Sequence, residues 1–328
     1  GPTTAYKLFT LLNLFCFVLL GAWLPSKINK GKDAAVITVF FFISGMLSYG
    51  FQFELERGQY NVITFLLCLS AVYLFHYHPR QRWLAYILFT LSIHLKVFPA
   101  IFVLMFIDNW RDWKAILKRM GLLFLLNLAA LFILGPQMVW DFINGVRLLG
   151  AESSIFIWIG NHSIRSFAEA ALPKIMEAYH QTAPSALTLS IVQWVLLAAV
   201  LLCLLLVVIK AYRQNQTGLN PYFLWVCTLA ALAIPSISHD YTLALLPPVM
   251  SIFLAAVYPQ SQQRRVWQTL SLLSVILLSA AYVATLFSFT NKPILWQNDL
   301  PVLMIMLFIG TGLFLMPKDA PGQTTLQV

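Results

Sequence analysis

The chain has 328 residues, 60% of them hydrophobic and only 10% charged, and its net charge is +9. Soluble domains carry about 25% charged residues, so the composition excludes a water-soluble protein and points to a polytopic membrane protein. The positive balance does not indicate nucleic-acid binding: the basic residues sit in short loops between apolar runs, where they set membrane orientation, and no basic stripe with interleaved aromatics occurs outside them.

A run of about 20 apolar residues crosses a bilayer. The first runs from 8 to 24 and is closed by Pro25 and the loop lysines Lys27, Lys30 and Lys32. The second, 34–53, ends at the polar cluster Glu54-Leu55-Glu56-Arg57-Gly58-Gln59-Tyr60-Asn61, and the third, 62–75, leads into a loop ending at Arg80-Gln81-Arg82. Residues 83–107 are long enough for one tilted span, but Lys96 and Pro99 interrupt them. Proline removes a backbone donor and clashes with the preceding turn. The stretch is therefore expected to be a re-entrant hairpin of two short half-helices, a broken backbone tolerated only where it lines protein or water.

Residues 120–135 then go outward, 136–186 stay outside, and spans follow at 187–209, 222–237, 241–258, 266–289 and 302–316. The expectation is an all-α bundle of nine spans plus the hairpin, one domain over 1–316 with its first residue outside, and a cytoplasmic polar tail over 317–328. This arrangement puts fourteen of the 21 basic residues inside and eight of the 12 acidic residues outside, as the positive-inside rule requires. In the outer segment, Ile164, Phe167, Ala168, Ala171, Leu172, Ile175, Met176 and Tyr179 fall on one helical face. Met138, Val139, Phe142 and Val146 form a weaker version upstream. Such helices lie in the membrane interface and would roof the outer mouth of the bundle. The cysteines Cys16, Cys68, Cys203 and Cys227 lie far apart inside apolar runs, the pattern of small buried hydrophobes and not of disulfides or a metal site.

Ionisable and amide side chains at bilayer depth are costly unless they face a partner or a polar cavity. The unusual ones share the outer side: Glu54, Glu56, Gln59 and Asn61, the hairpin tip His94 and Lys96, the stretch Asn161-His162-Ser163-Ile164-Arg165, and His239-Asp240. Amides and carboxylates bond sugar hydroxyls, while Lys96 and Arg165 can hold a phosphate. Each has a plainer reading. Arg57 can pair with Glu54 or Glu56, Gly58 can be a close-packing position, Lys96 can snorkel to the interface, Asp240 can cap a helix starting at Tyr241, and Asn161-His162-Ser163 matches the short glycosylation pattern.

Arg57-Gly58-Gln59-Tyr60-Asn61, followed at a distance by Lys96-Val97-Phe98-Pro99 and a basic loop, resembles glycosyltransferase family 87, as more loosely do Asn161-His162-Ser163-Ile164-Arg165 and Pro235-Ser236-Ile237-Ser238-His239-Asp240-Tyr241. The resemblance covers residues 2–248. It implies a GT-C-like membrane enzyme similar to the polyprenyl-phosphate-mannose-dependent alpha-1,2-mannosyltransferases. Such an enzyme transfers a hexose from a lipid-phosphate donor to a hydroxyl of a lipid or glycan acceptor, with inversion, at the outer face of a bacterial plasma membrane. The donor is a substrate, and no cofactor or metal is expected. Gln59, Asn61, Lys96, Asn161, Arg165 and His239 are the expected substrate-binding residues. The family's catalytic aspartate lies in a first outer loop, after a first transmembrane helix, and no aspartate precedes Asp33 here. The chain is accordingly expected to be an N-terminally shortened form, with Glu54, Glu56 and Asp240 as the only well-placed substitutes for the base. Two other readings compete. A transporter or lipid flippase would also carry a broken helix, and another lipid-linked enzyme, such as an O-antigen ligase or protein glycosyltransferase, would share the outer cavity.

Overall fold

The structure, a computed structural model, describes residues 2–29, 33–133, 135–151, 161–214 and 218–260. The expected spans 266–289 and 302–316 and the tail 317–328 lie outside the described residues. Among those described, the protein is helical, and its one β feature is an isolated antiparallel bridge between Asn161 and His239. Three of the described helices are long and apolar enough to cross a membrane: α1 (Thr3–Ile28), α6 (Trp113–Phe132) and α9 (Ala186–Gln214). A fourth crossing is formed if α2 (Ala34–Met46) and α3 (Tyr49–Glu56) count together. The molecule is thus a helical membrane protein.

The expected straight span over 34–53 is instead bent by 49° between α2 and α3. Ser48 makes the break a fresh helix start, because its hydroxyl accepts the Phe51 N–H at 3.3 Å and donates to the Gly45 carbonyl at 2.7 Å. That supplies the acceptor a first helical turn lacks. Pro25 does not close the first span, contrary to expectation. A π turn at Leu19–Trp23 precedes it, and the helix runs on to Ile28. The wider turn gives room for the proline ring, which would otherwise clash with the carbonyl one turn before it.

Helix α4 (Asn61–Tyr77) stops at His78, the residue before Pro79, whose ring disfavours helical geometry at its predecessor. It packs against α5 (Arg82–Leu95) along much of their lengths. After Lys96 and Val97 the chain continues as the 3-10 segment Phe98–Phe106, so the second limb of the hairpin is not α-helical as expected. Arg82, at the start of the first limb, pairs with Asp108, just past the end of the second, at 2.7 Å. The two ends of residues 82–108 therefore meet, and Lys96 lies at the far turn.

The centre of the bundle is α10 (Pro221–Ala233), started by Asn220, whose side-chain oxygen accepts the N–H groups of Tyr222 and Phe223. Every residue from Tyr222 to Ala233 is buried, the pattern of a helix enclosed on all sides. Trp225 stacks on Phe253 of α11 (Leu246–Gln260), with ring centroids 5.2 Å apart. On α1, Phe17 stacks on Phe51 at 4.1 Å. At the other end, Asn29 donates to Thr38 and Ser251 at 3.0 and 3.1 Å, tying three helices through one amide. Cys16, Cys68 and Cys227 are buried and Cys203 half-buried, all four as free thiols.

Of the two expected interfacial helices, α7 spans Pro136–Ala151. The other, α8 (residues 164–178), starts at Ser163, whose hydroxyl accepts the Ser166 N–H at 3.1 Å. A π turn at Phe167–Ala171 interrupts it. The extra residue rotates the remainder of the helix relative to its first turn. Ile164, Phe167 and Ala168 are buried, whereas Tyr179 lies past the helix end and is 74% exposed.

Candidate active site

Glu54 organises the first polar cluster. Its side chain is fully buried, with one oxygen accepting Asn61 Nδ2 at 2.7 Å and the other the Val62 N–H at 3.1 Å. Those donors belong to the first turn of α4, where backbone N–H groups lack helical acceptors. One carboxylate therefore ties the end of α3 to the start of α4 and closes the turn between them. Neither Glu54 nor Asn61 presents an open polar edge: each is held by the other.

The turn is steadied from α1 as well. Tyr6 donates its hydroxyl to the Leu55 carbonyl at 2.8 Å, and the buried Asn13 donates to the Gln59 carbonyl at 3.2 Å. Gly58 has φ +60 and open space where a Cβ would stand. It is there for backbone conformation, not for the close packing expected of it. Arg57 does not pair with either glutamate. Its guanidinium lies 4.9 Å over the Phe53 ring, while Glu54 is engaged as described and Glu56 is exposed.

The hairpin tip meets this turn. Lys96, half-buried, donates to Gln59 Oε1 at 3.1 Å, with its ammonium 4.9 Å over Tyr60 and 5.9 Å over Tyr241. The lysine does not snorkel away, because the break in the helix aims it back at the α3–α4 turn. An ammonium carries three donors and Gln59 takes one. His94, on the same tip, is exposed and donates to the Asn127 carbonyl at 3.2 Å.

Tyr241 joins this cluster to the second one. Its ring stacks on Phe53 at 5.9 Å and meets His239 edge-on at 5.4 Å. His239 bridges Asn161 through the backbone. Asn161 is itself buried, its amide donating to the Ser236 carbonyl at 3.0 Å and its oxygen accepting the Ser238 N–H at 2.9 Å. Asn161 is thus no accessible glycosylation acceptor; it splices the start of α8 to the residues before α11. Ser163 adds a second bond to the Ser236 carbonyl at 3.0 Å.

This splice delivers His162 to Asp240, with Nε2 and Oδ1 2.6 Å apart. Asp240 is not a helix cap as expected: its carboxylate bonds His162, and no side chain caps the 3-10 turn Asp240–Leu245. Of the pair, Asp240 is the more open, its side chain 18% exposed against 4% for His162. Arg165 points to Glu169 one turn along α8, Nε to Oε1 2.8 Å, so part of its donor set is already satisfied within its own helix.

The structure therefore brings together Glu54, Gln59, Asn61 and Lys96, and through Tyr241 links them to His239, Asp240 and Asn161. It leaves Glu56 on the surface and Arg165 paired with Glu169. Tyr60, Tyr241 and His162 lie within the stretches singled out in the sequence but carried no assigned role there, and Asn13 was not singled out at all. A polar residue inside an apolar first helix was a usable signal for Asn13; for the three others the only signal was the stretch that holds them.

A comparison with protein families matches the model of glycosyltransferase family 87 over residues 1–235. No curated protein and no solved structure matches the chain.

Proposed function

Because the chain belongs to glycosyltransferase family 87, we propose that its clustered polar residues form the transfer site of a GT-C-like membrane hexosyltransferase. In this reading the chain crosses the membrane nine times besides the hairpin, and the site faces the outer side of a bacterial plasma membrane. The donor is a polyprenyl-phosphate sugar, mannose by resemblance, and the acceptor a lipid or glycan hydroxyl.

The observation that carries this reading is Lys96. It is a half-buried cation at a helix break, hydrogen-bonded to Gln59 and flanked by two aromatic rings. In transfer, the acceptor oxygen attacks the anomeric carbon, the bond from that carbon to the phosphate oxygen breaks, and the lipid phosphate leaves with added negative charge. A fixed ammonium with unused donors stabilises that charge most when it is greatest. Gln59 holds the ammonium in place and offers its own amide nitrogen to a sugar hydroxyl. The acceptor's proton needs a carboxylate. Among the described residues Asp240 suits best, being partly open and held in orientation by His162, whereas Glu54 is enclosed. Asn61 and Asn161 act by shaping the loops that carry Gln59 and His239.

The test is transfer of radiolabelled sugar from a lipid-phosphate donor, with the protein in detergent or nanodiscs. Lys96→Ala and Gln59→Ala should each lower turnover by about a hundredfold or more while leaving the protein folded. Undiminished transfer in both would remove the site. Donor flipping without transfer would favour the transporter.

A further inference from the structure

The hairpin carries Lys96 at one end and an ion cluster at the other. There Asp108 receives both Arg82 and Arg119: Arg82 Nη2 lies 2.7 Å from Oδ2, Arg119 Nη2 lies 2.9 Å from the same oxygen, and Arg119 Nη1 pairs with Oδ1. The two guanidiniums also lie over the Phe75 ring, at 4.7 and 5.3 Å. Arg82 Nε donates to the Phe75 carbonyl at 3.3 Å, and His76 Nε2 to the Met105 carbonyl at 2.7 Å. Four pieces of chain converge on one carboxylate: the end of α4, the start of α5, the end of the 3-10 limb and the first turns of α6.

Helix α6 touches the hairpin again further along. Asn127 donates weakly to Thr90 Oγ1 at 3.5 Å, and its carbonyl accepts His94 at 3.2 Å, two residues before Lys96. The hairpin is thus held at two heights against one helix, firmly at its base and loosely near its tip.

We infer that Asp108 is a positioning residue for Lys96: by locking both limbs of the hairpin to α4 and α6, it sets the height at which the ammonium meets Gln59 and the donor phosphate. A 3-10 limb has poorer hydrogen-bond geometry than an α-helix and seldom runs this long unaided, so the second limb depends on an external tie to hold its register. The ion triad supplies that tie. Asp108 touches no substrate, and its effect passes through Lys96. The kinetic part of the inference rests on the functional reading above; the structural part does not.

The test uses the full chain in nanodiscs and compares wild type, Asp108→Asn, Asp108→Glu and Arg119→Lys. Thermal unfolding reports folding, and the rate at which an amine-reactive reagent modifies Lys96, followed by peptide mass spectrometry with exposed Lys114 as reference, reports the tip. Asp108→Asn should change Lys96 modification several-fold relative to Lys114. It should raise KM for the lipid-phosphate sugar by about tenfold, with a smaller change in kcat. Asp108→Glu should restore most of both. If Asp108→Asn fails to fold, Arg119→Lys should give the same displaced reactivity in milder form. A folded Asp108→Asn protein with wild-type Lys96 reactivity and wild-type KM overturns the inference. A wild type that transfers no sugar, yet whose Lys96 reactivity responds to Asp108, overturns the functional reading and leaves the tie standing.

Discussion

Glu54 shows how one side chain can matter by holding others in place. Its two oxygens satisfy an amide and a backbone N–H that would otherwise be buried without acceptors, and an orphaned buried donor is the expensive case. Glu54→Gln keeps the shape but turns one acceptor into a donor facing a donor. It should lower stability by about 1–3 kcal/mol and weaken donor binding through the displaced Gln59, both readable by thermal unfolding and KM. Gly58→Ala should cost about 1–2 kcal/mol, since φ +60 is left-handed, with nothing added by other residues because the space around the methyl is open. The nearness of Gln59 and Lys96 was legible in the sequence: two groups of polar residues in an otherwise apolar chain had to find each other or water. The His162–Asp240 pair was not legible. Its partners are separated by 78 positions, and each had an ordinary local explanation.

Among the elements, α3 and the 3-10 turn that precedes α11 meet backbone to backbone. A Cβ on Gly50 would stand 2.8 Å from the Asp240 carbonyl oxygen and 3.2 Å from the Ala244 nitrogen, both backbone atoms that cannot step aside. Gly50→Ala must therefore separate the segment carrying Asp240 from the one leading to Gln59. It should destabilise by about 1–3 kcal/mol and reduce transfer more than it reduces stability, as parallel unfolding and activity measurements would show. Gly121→Ala is the counterpart. It sits in the middle of α6 with nothing within 4 Å of the added methyl, and should stabilise by about 0.5–1 kcal/mol. The sequence announced the break at Lys96 through Pro99, but carried no such sign of the bend between α2 and α3, which contains no proline and rests on Ser48 and two glycines. The π turn in α8 was equally silent, because periodicity assumes a constant number of residues per turn.

Taken whole, the hairpin has its ion triad at one end and its candidate chemistry at the other. Burial alone would raise the Asp108 carboxyl, but the guanidiniums of Arg119 and Arg82 outweigh it and hold the group below its ordinary value. A carboxylate lowered on folding stabilises the fold above its unfolded value of about 3.9, and that contribution is lost as pH falls through the lower folded value. The melting temperature of wild type should therefore drop over an acid window below the usual aspartate range. Asp108→Asn, less stable at neutral pH, should show a shallower drop there.

The lengths of the inner helices have a consequence for the membrane itself. Helix α4 has 17 residues and α10 has 13, about 26 and 20 Å at the usual rise, against a hydrocarbon layer of about 30 Å. The longer α1 and α9 pack beside them. Lipid meets this long rim, which tilt accommodates, while the short helices end below it and leave a recess that water enters from the end. Under the proposed function, the water boundary would dip inside the protein toward Lys96 and Tyr241, so that a lipid-borne phosphate meets a polar acceptor below the membrane surface.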